Sequence, residues 1–183
     1  KMIGWCVGGV AVVALAVLAY IFFVQGPKTE KSITAFNNVE ATAANDSLAA
    51  VEYKKVADEF GSAVGGNLAA LAAGQALYEE GKYEEAIKYL QQFDGNGDEA
   101  IQAGAICMIG DCYVNLKKYD EAISYFDKAI VAANGNGALI PRYLDKKATV
   151  FAAQKNYAEA LKCYETIKKD YPKYSTSYNV DAY

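Results

Sequence analysis

Tyr83-Glu-Glu-Ala-Ile-Lys-Tyr-Leu90, Tyr119-Asp-Glu-Ala-Ile-Ser-Tyr-Phe126 and Tyr157-Ala-Glu-Ala-Leu-Lys-Cys-Tyr164 are three versions of one eight-residue pattern. Their shared alanines, Ala86, Ala122 and Ala160, stand 36 and 38 positions apart. A fixed period of this size marks a chain built from stacked supersecondary units, none of which can bury its apolar face alone. Each segment follows a helix-compatible stretch that ends in a short turn: Glu80-Gly-Lys82, Leu116-Lys-Lys118 and Gln154-Lys-Asn156. Each unit therefore reads as two antiparallel helices. The longer connectors between units, Asp94-Gly-Asn-Gly-Asp98 and Asn134-Gly-Asn-Gly-Ala138, carry the residues expected of turns.

The register resembles the tetratricopeptide repeat. That family places a small residue eighth, a Tyr-like residue eleventh, Ala twentieth, an aromatic twenty-fourth and Pro thirty-second. The middle unit supplies Gly110, Tyr113, Ala122, Phe126 and Ala129, and the first supplies Gly74, Leu77, Ala86 and Leu90. The last supplies Ala148, Phe151, Ala160, Tyr164, Ile167 and Pro172. The small residues let the two helices of a unit approach, and the large ones fill the space beside them. A degenerate unit precedes these three, because Ala49, Tyr53, Val56 and Phe60-Gly61 align with Ala160, Tyr164, Ile167 and Tyr171-Pro172. A further helix, starting at Ser175, is expected to cap the last repeat.

Outside the repeats one stretch differs. Ile3 to Val24 contains no charged residue and is 22 residues long. As a helix it reaches roughly 33 Å, enough for a hydrocarbon core of about 30 Å. Trp5 near one end and Tyr20, Phe22 and Phe23 near the other suit a membrane interface. A cleaved leader is disfavoured, since bulky Tyr20-Ile-Phe-Phe-Val24 stands where small residues would be needed. Flanking charge, Lys1 before the run and Lys28 and Lys31 after it, does not choose an orientation. Gly4 and Gly8 form a small-xxx-small face, a candidate for packing against another membrane helix. Gln25-Gly-Pro27 is expected to break the helix.

The expected fold is thus all-α, an N-terminal transmembrane helix followed by a helix-turn-helix solenoid. Residues 1–27 form the anchor, 28–66 a linker helix and the degenerate unit, and 67–98, 99–138 and 139–174 the three repeats. Residues 175–183 begin the capping helix.

Composition narrows the function. The 183 residues include no histidine, so Ser-His-Asp triads, Cys-His pairs and imidazole metal ligands are absent, and an enzyme is disfavoured. A net charge of −4 with a single arginine, Arg142, argues against nucleic acid. Asp94, Asn96 and Asp98 have the spacing that opens a calcium loop, but Glu99 and Ala105 stand where it needs Gly and a bidentate Glu. Cys107, Cys112 and Cys163 form no C-x-x-C and read as buried small apolar residues. No metal or cofactor is expected.

The tetratricopeptide resemblance implies a groove, lined by the first helix of each unit, that binds proteins or peptides. In this register the groove positions are Leu68, Leu71, Gln75, Tyr78 and Glu79, then Cys107, Met108, Asp111 and Asn115, then Arg142, Asp145, Lys146 and Thr149. The family's clamp for chaperone carboxyl termini needs Lys and Asn where this chain has Leu71, Gln75 and Cys107, which argues against that mode. The whole plan resembles a narrower group, the bacterial inner-membrane ancillary subunits of the SecYEG translocon (YfgM-like). Asn67-Leu-Ala-Ala-Leu-Ala-Ala-Gly74, Gly110-Asp-Cys-Tyr113, Pro141-Arg-Tyr-Leu144 and the closing Tyr164 to Pro172 carry that likeness. It implies a single-pass inner-membrane protein with a periplasmic repeat domain. Its partners would be SecYEG and envelope chaperones, and its role to assist newly translocated proteins. The alternative is a structural subunit of another envelope secretion or assembly complex.

Overall fold

The computed structural model describes residues 16–43 and 46–178, and every regular element among them is helical. Residues 16–42 run as one helix. It contains a π-helical turn, Ile21–Gln25, and continues directly as α1, Gly26–Thr42. The expected break at Gln25-Gly-Pro27 is therefore not there. Proline lacks an N–H and crowds the carbonyl four residues back. The turn before it is widened, with the Gly26 N–H bonded to the Ile21 carbonyl, and Pro27 sits in the first turn of α1 where its missing donor does no harm.

Eight more helices follow: α2 (Asp46–Phe60), α3 (Val64–Glu79), α4 (Tyr83–Leu90), α5 (Glu99–Asn115), α6 (Tyr119–Ala132), α7 (Ile140–Ala153), α8 (Tyr157–Asp170) and α9 (Pro172–Tyr178). Each packs on its neighbour in sequence, and α1 also lies against α3. That is the contact pattern of a solenoid, in which a unit touches only the next. The capping helix begins at Pro172, three residues before the expected Ser175, because a proline is pre-set for the first helical position.

The large-small pairing that the repeat pattern implied is visible in the cores. A Cβ on Gly74 would lie 2.6 Å from the Leu90 Cγ, and one on Gly110 would lie 2.6 Å from the Phe126 Cε1. Ala148 and Tyr164, at the same separation in sequence, share the third core cluster with Ala160 and Cys163. Leu77, Ala86 and Leu90 belong to the first cluster, whereas Ala122, Phe126 and Ala129 belong to the second.

The turns between paired helices recur as well. Gly81, Lys117 and Lys155 all have positive φ, at 76°, 59° and 62°. In each turn the next residue's N–H reaches back to the last helical turn, as from Lys82 to Leu77, Lys118 to Tyr113 and Asn156 to Phe151. This is the left-handed close that satisfies orphan carbonyls at a helix end.

Among the described residues no helix is long and apolar enough to cross a membrane. The expected span is described only from residue 16 onward; residues 3–15, with Gly4 and Gly8, lie outside the described residues. Within the described part Val17, Leu18, Tyr20, Ile21, Phe23 and Val24 are exposed.

Candidate protein-binding groove

Helices α3, α5 and α7 carry the candidate residues, and the structure divides them into three settings. The first is a cleft. Leu68, Leu71, Gln75 and Glu79 of α3 line a cavity of about 400 Å³, closed on its other sides by Phe36 and Glu40 of α1 and Ala49 and Tyr53 of α2. The Phe36 and Tyr53 rings stack at 5.5 Å with a 33° tilt, which gives the cleft an aromatic wall. Leu68 is 41% exposed although it is a large apolar side chain.

What holds this cleft open is the crossing of α1 over the start of α3. Ser32 is fully buried; its hydroxyl donates to the Thr29 carbonyl at 2.7 Å and accepts the Gly65 N–H at 3.0 Å. The backbones meet so closely that a Cβ on Gly65 would stand 1.9 Å from the Ser32 carbonyl oxygen. Neither Phe36, Glu40 nor Tyr53 was singled out as a groove residue from sequence. The alignment of Tyr53 with Tyr164 was the available signal, since it marked α2 as the second helix of a unit whose first helix had to be α1.

The second setting is a polar seam between α5 and α7. Lys146 Nζ donates to both carboxylate oxygens of Asp111, at 2.8 and 3.0 Å. Burial pushes the Asp111 carboxyl up, and the Lys146 ammonium beside it only partly offsets this. For Lys146 burial works against the charge, but Asp111 outweighs it and the ammonium is held above its ordinary value. Asn115 donates to the Asp111 carbonyl at 2.9 Å and also hydrogen-bonds Tyr78. Two candidate residues expected to meet a ligand thus meet each other.

Cys107 belongs to this seam but not to its surface. It is 4% exposed, and burial pushes its thiol up to about 12. The burial of Cys107 follows from the neighbouring helix: Tyr143 of α7 shares its core cluster. Met108 is half-buried against the first cluster.

The third setting is α7 itself. Arg142 is exposed and makes no ion pair among the described residues. Asp145 is half-buried and hydrogen-bonded to Tyr164 of α8, and burial is the main cause of its raised carboxyl pKa. Thr149 turns its hydroxyl onto the Asp145 carbonyl at 3.0 Å.

The connector Asp94–Asp98 spends its carboxylates on backbone. Asp94 Oδ1 accepts the Asn96 N–H, and Asp98 Oδ1 accepts the Ala100 and Ile101 N–H groups as the N-cap of α5. Among the described residues no group of acids and cysteines is arranged to hold a metal.

Comparison with known proteins agrees with this architecture. Residues 56–129 match the family model for subunit 3 of the anaphase-promoting complex (cyclosome), and residues 143–174 match a tetratricopeptide repeat model. No curated protein matches the chain. Among solved structures it is similar to two crystal structures of MamA. The first has a TM-score of 0.59 at 21% identity and covers 77% of each chain. The second has a TM-score of 0.61 at 20% identity and covers 85% of this chain and 79% of the other. The apo form of RapI aligns with a TM-score of 0.60 at 19% identity, over 91% of this chain and 67% of that one. At such identities the likeness concerns the fold alone. The chain carries tetratricopeptide-family repeats over residues 56–129 and 143–174.

Proposed function

We propose that this chain is a non-catalytic, membrane-anchored interaction module that seats segments of other proteins along α3, α5 and α7. The observation that carries the reading is the open cleft of about 400 Å³ at Leu68, Leu71, Gln75 and Glu79. Its lining joins Phe36, Tyr53, Leu68 and Leu71 to Glu40, Gln75 and Glu79, a surface that can seat an apolar side chain beside polar groups. The exposed Val17, Leu18, Tyr20, Ile21, Phe23 and Val24 support anchoring: a helix that leaves this much apolar surface uncovered is explained by lipid around it.

The finer reading places the module in the bacterial inner membrane with its repeats in the periplasm, as an accessory subunit of SecYEG working beside envelope chaperones on newly translocated chains. It is supported by the order of anchor, degenerate unit and three repeats. A photo-crosslinking residue at Gln75, introduced in cells, is expected to capture translocon or envelope-chaperone subunits; recovery of neither sinks this assignment. A single partner retained at one-to-one stoichiometry through purification would instead favour a structural subunit of another envelope complex. Protease added to intact spheroplasts should cut the repeats, and protection of them would reverse the orientation.

A further inference from the structure

Resting on the reading of the α1–α3 cleft as a seat for protein segments, we propose that it selects a segment in which a large apolar residue is flanked by Lys or Arg. The inference comes from what lines the cleft and from what its charges are doing. Phe36, Tyr53, Leu68 and Leu71 supply the apolar surface, and Glu40 and Glu79 supply two carboxylates, with no Lys or Arg among the lining residues.

Among the described residues neither of those two carboxylates is held by an internal cation, so both are available to a ligand. Glu85 is paired with Lys54 at 2.6 Å, Glu80 with Lys82 at 2.7 Å, Asp111 with Lys146 at 2.8 Å and Asp127 with Lys147 at 2.6 Å. Glu40 and Glu79 appear in no such pair among the described residues, and Lys54, on the same helix as Tyr53, is already committed to Glu85. Glu40 and Glu79 are both exposed, so their negative charge stands at the solvent edge of a cleft whose other walls include Phe36, Tyr53, Leu68 and Leu71. Glu40 lies close enough to the Tyr53 hydroxyl to add to the rise in that phenol's pKa, after burial.

A neutral apolar segment would bury Leu68 but leave the two carboxylates partly desolvated and unpaired, and an acidic one would be repelled. A segment with a cation beside its apolar residue satisfies both. The aliphatic stem of Lys or Arg can also lie along Leu68 while its head reaches a carboxylate. The middle of the groove gives no competing selection, since Asp111 and Lys146 neutralise each other.

The test uses the full chain in detergent micelles and three labelled twelve-residue peptides. They share their apolar residues and differ only in flanking Lys/Arg, Ser/Gln or Asp/Glu. Fluorescence anisotropy should show the basic peptide binding at least tenfold more tightly than the acidic one, with a several-fold loss on raising salt to about 0.5 M. Glu40→Gln and Glu79→Gln should each weaken the basic peptide about threefold, the size expected for exposed ion pairs, with an unchanged melting curve. Leu68→Lys, at a position open to solvent, should abolish binding while the chain stays folded. If the neutral peptide binds as tightly as the basic one, and neither Gln variant matters, segment binding stands and charge selection is overturned. If no peptide binds and a crosslinker at Leu68 captures only a second copy of this chain, both the selection and the cleft reading fall.

Discussion

A single methyl group at Gly110 would have to displace the Phe126 ring, which is 1% exposed and cannot move into solvent. Gly110→Ala is therefore expected to cost about 1–3 kcal/mol, the usual penalty of overpacking, read as a lower melting temperature. In the third repeat the equivalent place is already Ala148, fully buried, and its large partner Tyr164 is half-buried rather than sealed in the core. The turns give the opposite sign. Lys117 and Lys155 hold left-handed φ values of 59° and 62° where the first repeat uses Gly81. Lys117→Gly and Lys155→Gly should each stabilise the fold by about 0.5–1 kcal/mol, because a β-carbon no longer opposes that conformation and the gain exceeds glycine's added freedom when unfolded. A destabilising result by denaturant titration would mean that the lysine stems pack more than the geometry implies.

The element on which the cleft depends is α1, and its hold on α3 is a backbone contact. With a Cβ at Gly65 only 1.9 Å from the Ser32 carbonyl oxygen, no rotamer change can relieve Gly65→Ala. The two helices must separate, which also breaks the 3.0 Å bond from the Gly65 N–H to the Ser32 hydroxyl. Amide exchange should accelerate across Gly26–Thr42 while α5 to α8 keep their protection, since each unit of a solenoid leans mainly on its neighbours. Unchanged exchange in α1 would count against this. The repeats were legible because the small residue and its large partner recur sixteen positions apart, at Gly74 and Leu90 and again at Gly110 and Phe126. The α1–α3 crossing was not legible. Gly65 and Ser32 are ordinary residues in sequence, and only their meeting gives them a role. The helix through Pro27 was missed for a related reason: a π-helical turn five residues long changes which carbonyl the proline faces, and no composition rule announces it. Cys107 was read correctly as a small buried residue and also placed on the groove by register; the two readings conflict, and contact with Tyr143's cluster decides for burial.

Across the whole molecule the unmade charges are as informative as the made ones. Burial pushes the Cys107 and Cys112 thiols up to about 12, raises that of Cys163, and lifts the Tyr89 phenol to about 12 with help from its hydrogen bond to Asp58. In the unfolded chain these thiols titrate near 9 and the phenol near 10. The folded state therefore keeps protons that the unfolded state loses. The stability these groups contribute is complete below about pH 9 and is lost as pH rises from there through the folded values. Cys112 sits in the first core cluster, Cys107 in the second and Cys163 in the third, so alkali loosens every part of the solenoid instead of fraying one end. Guanidinium midpoints should be flat to about pH 8.5 and then fall. Each retained proton steepens the decline by about 1.4 kcal/mol per pH unit. Replacing Cys107 by alanine should make the decline shallower while lowering the plateau, because it removes a titrating group and leaves a small cavity. With Cys6, the fourth cysteine of the sequence, which lies outside the described residues, replaced by serine, a thiol reagent at pH 8 should find no reactive cysteine until denaturant is added. Prompt labelling of Cys107 in the native protein would show instead that the α5–α7 seam opens, and that Cys107 is available to a bound segment after all.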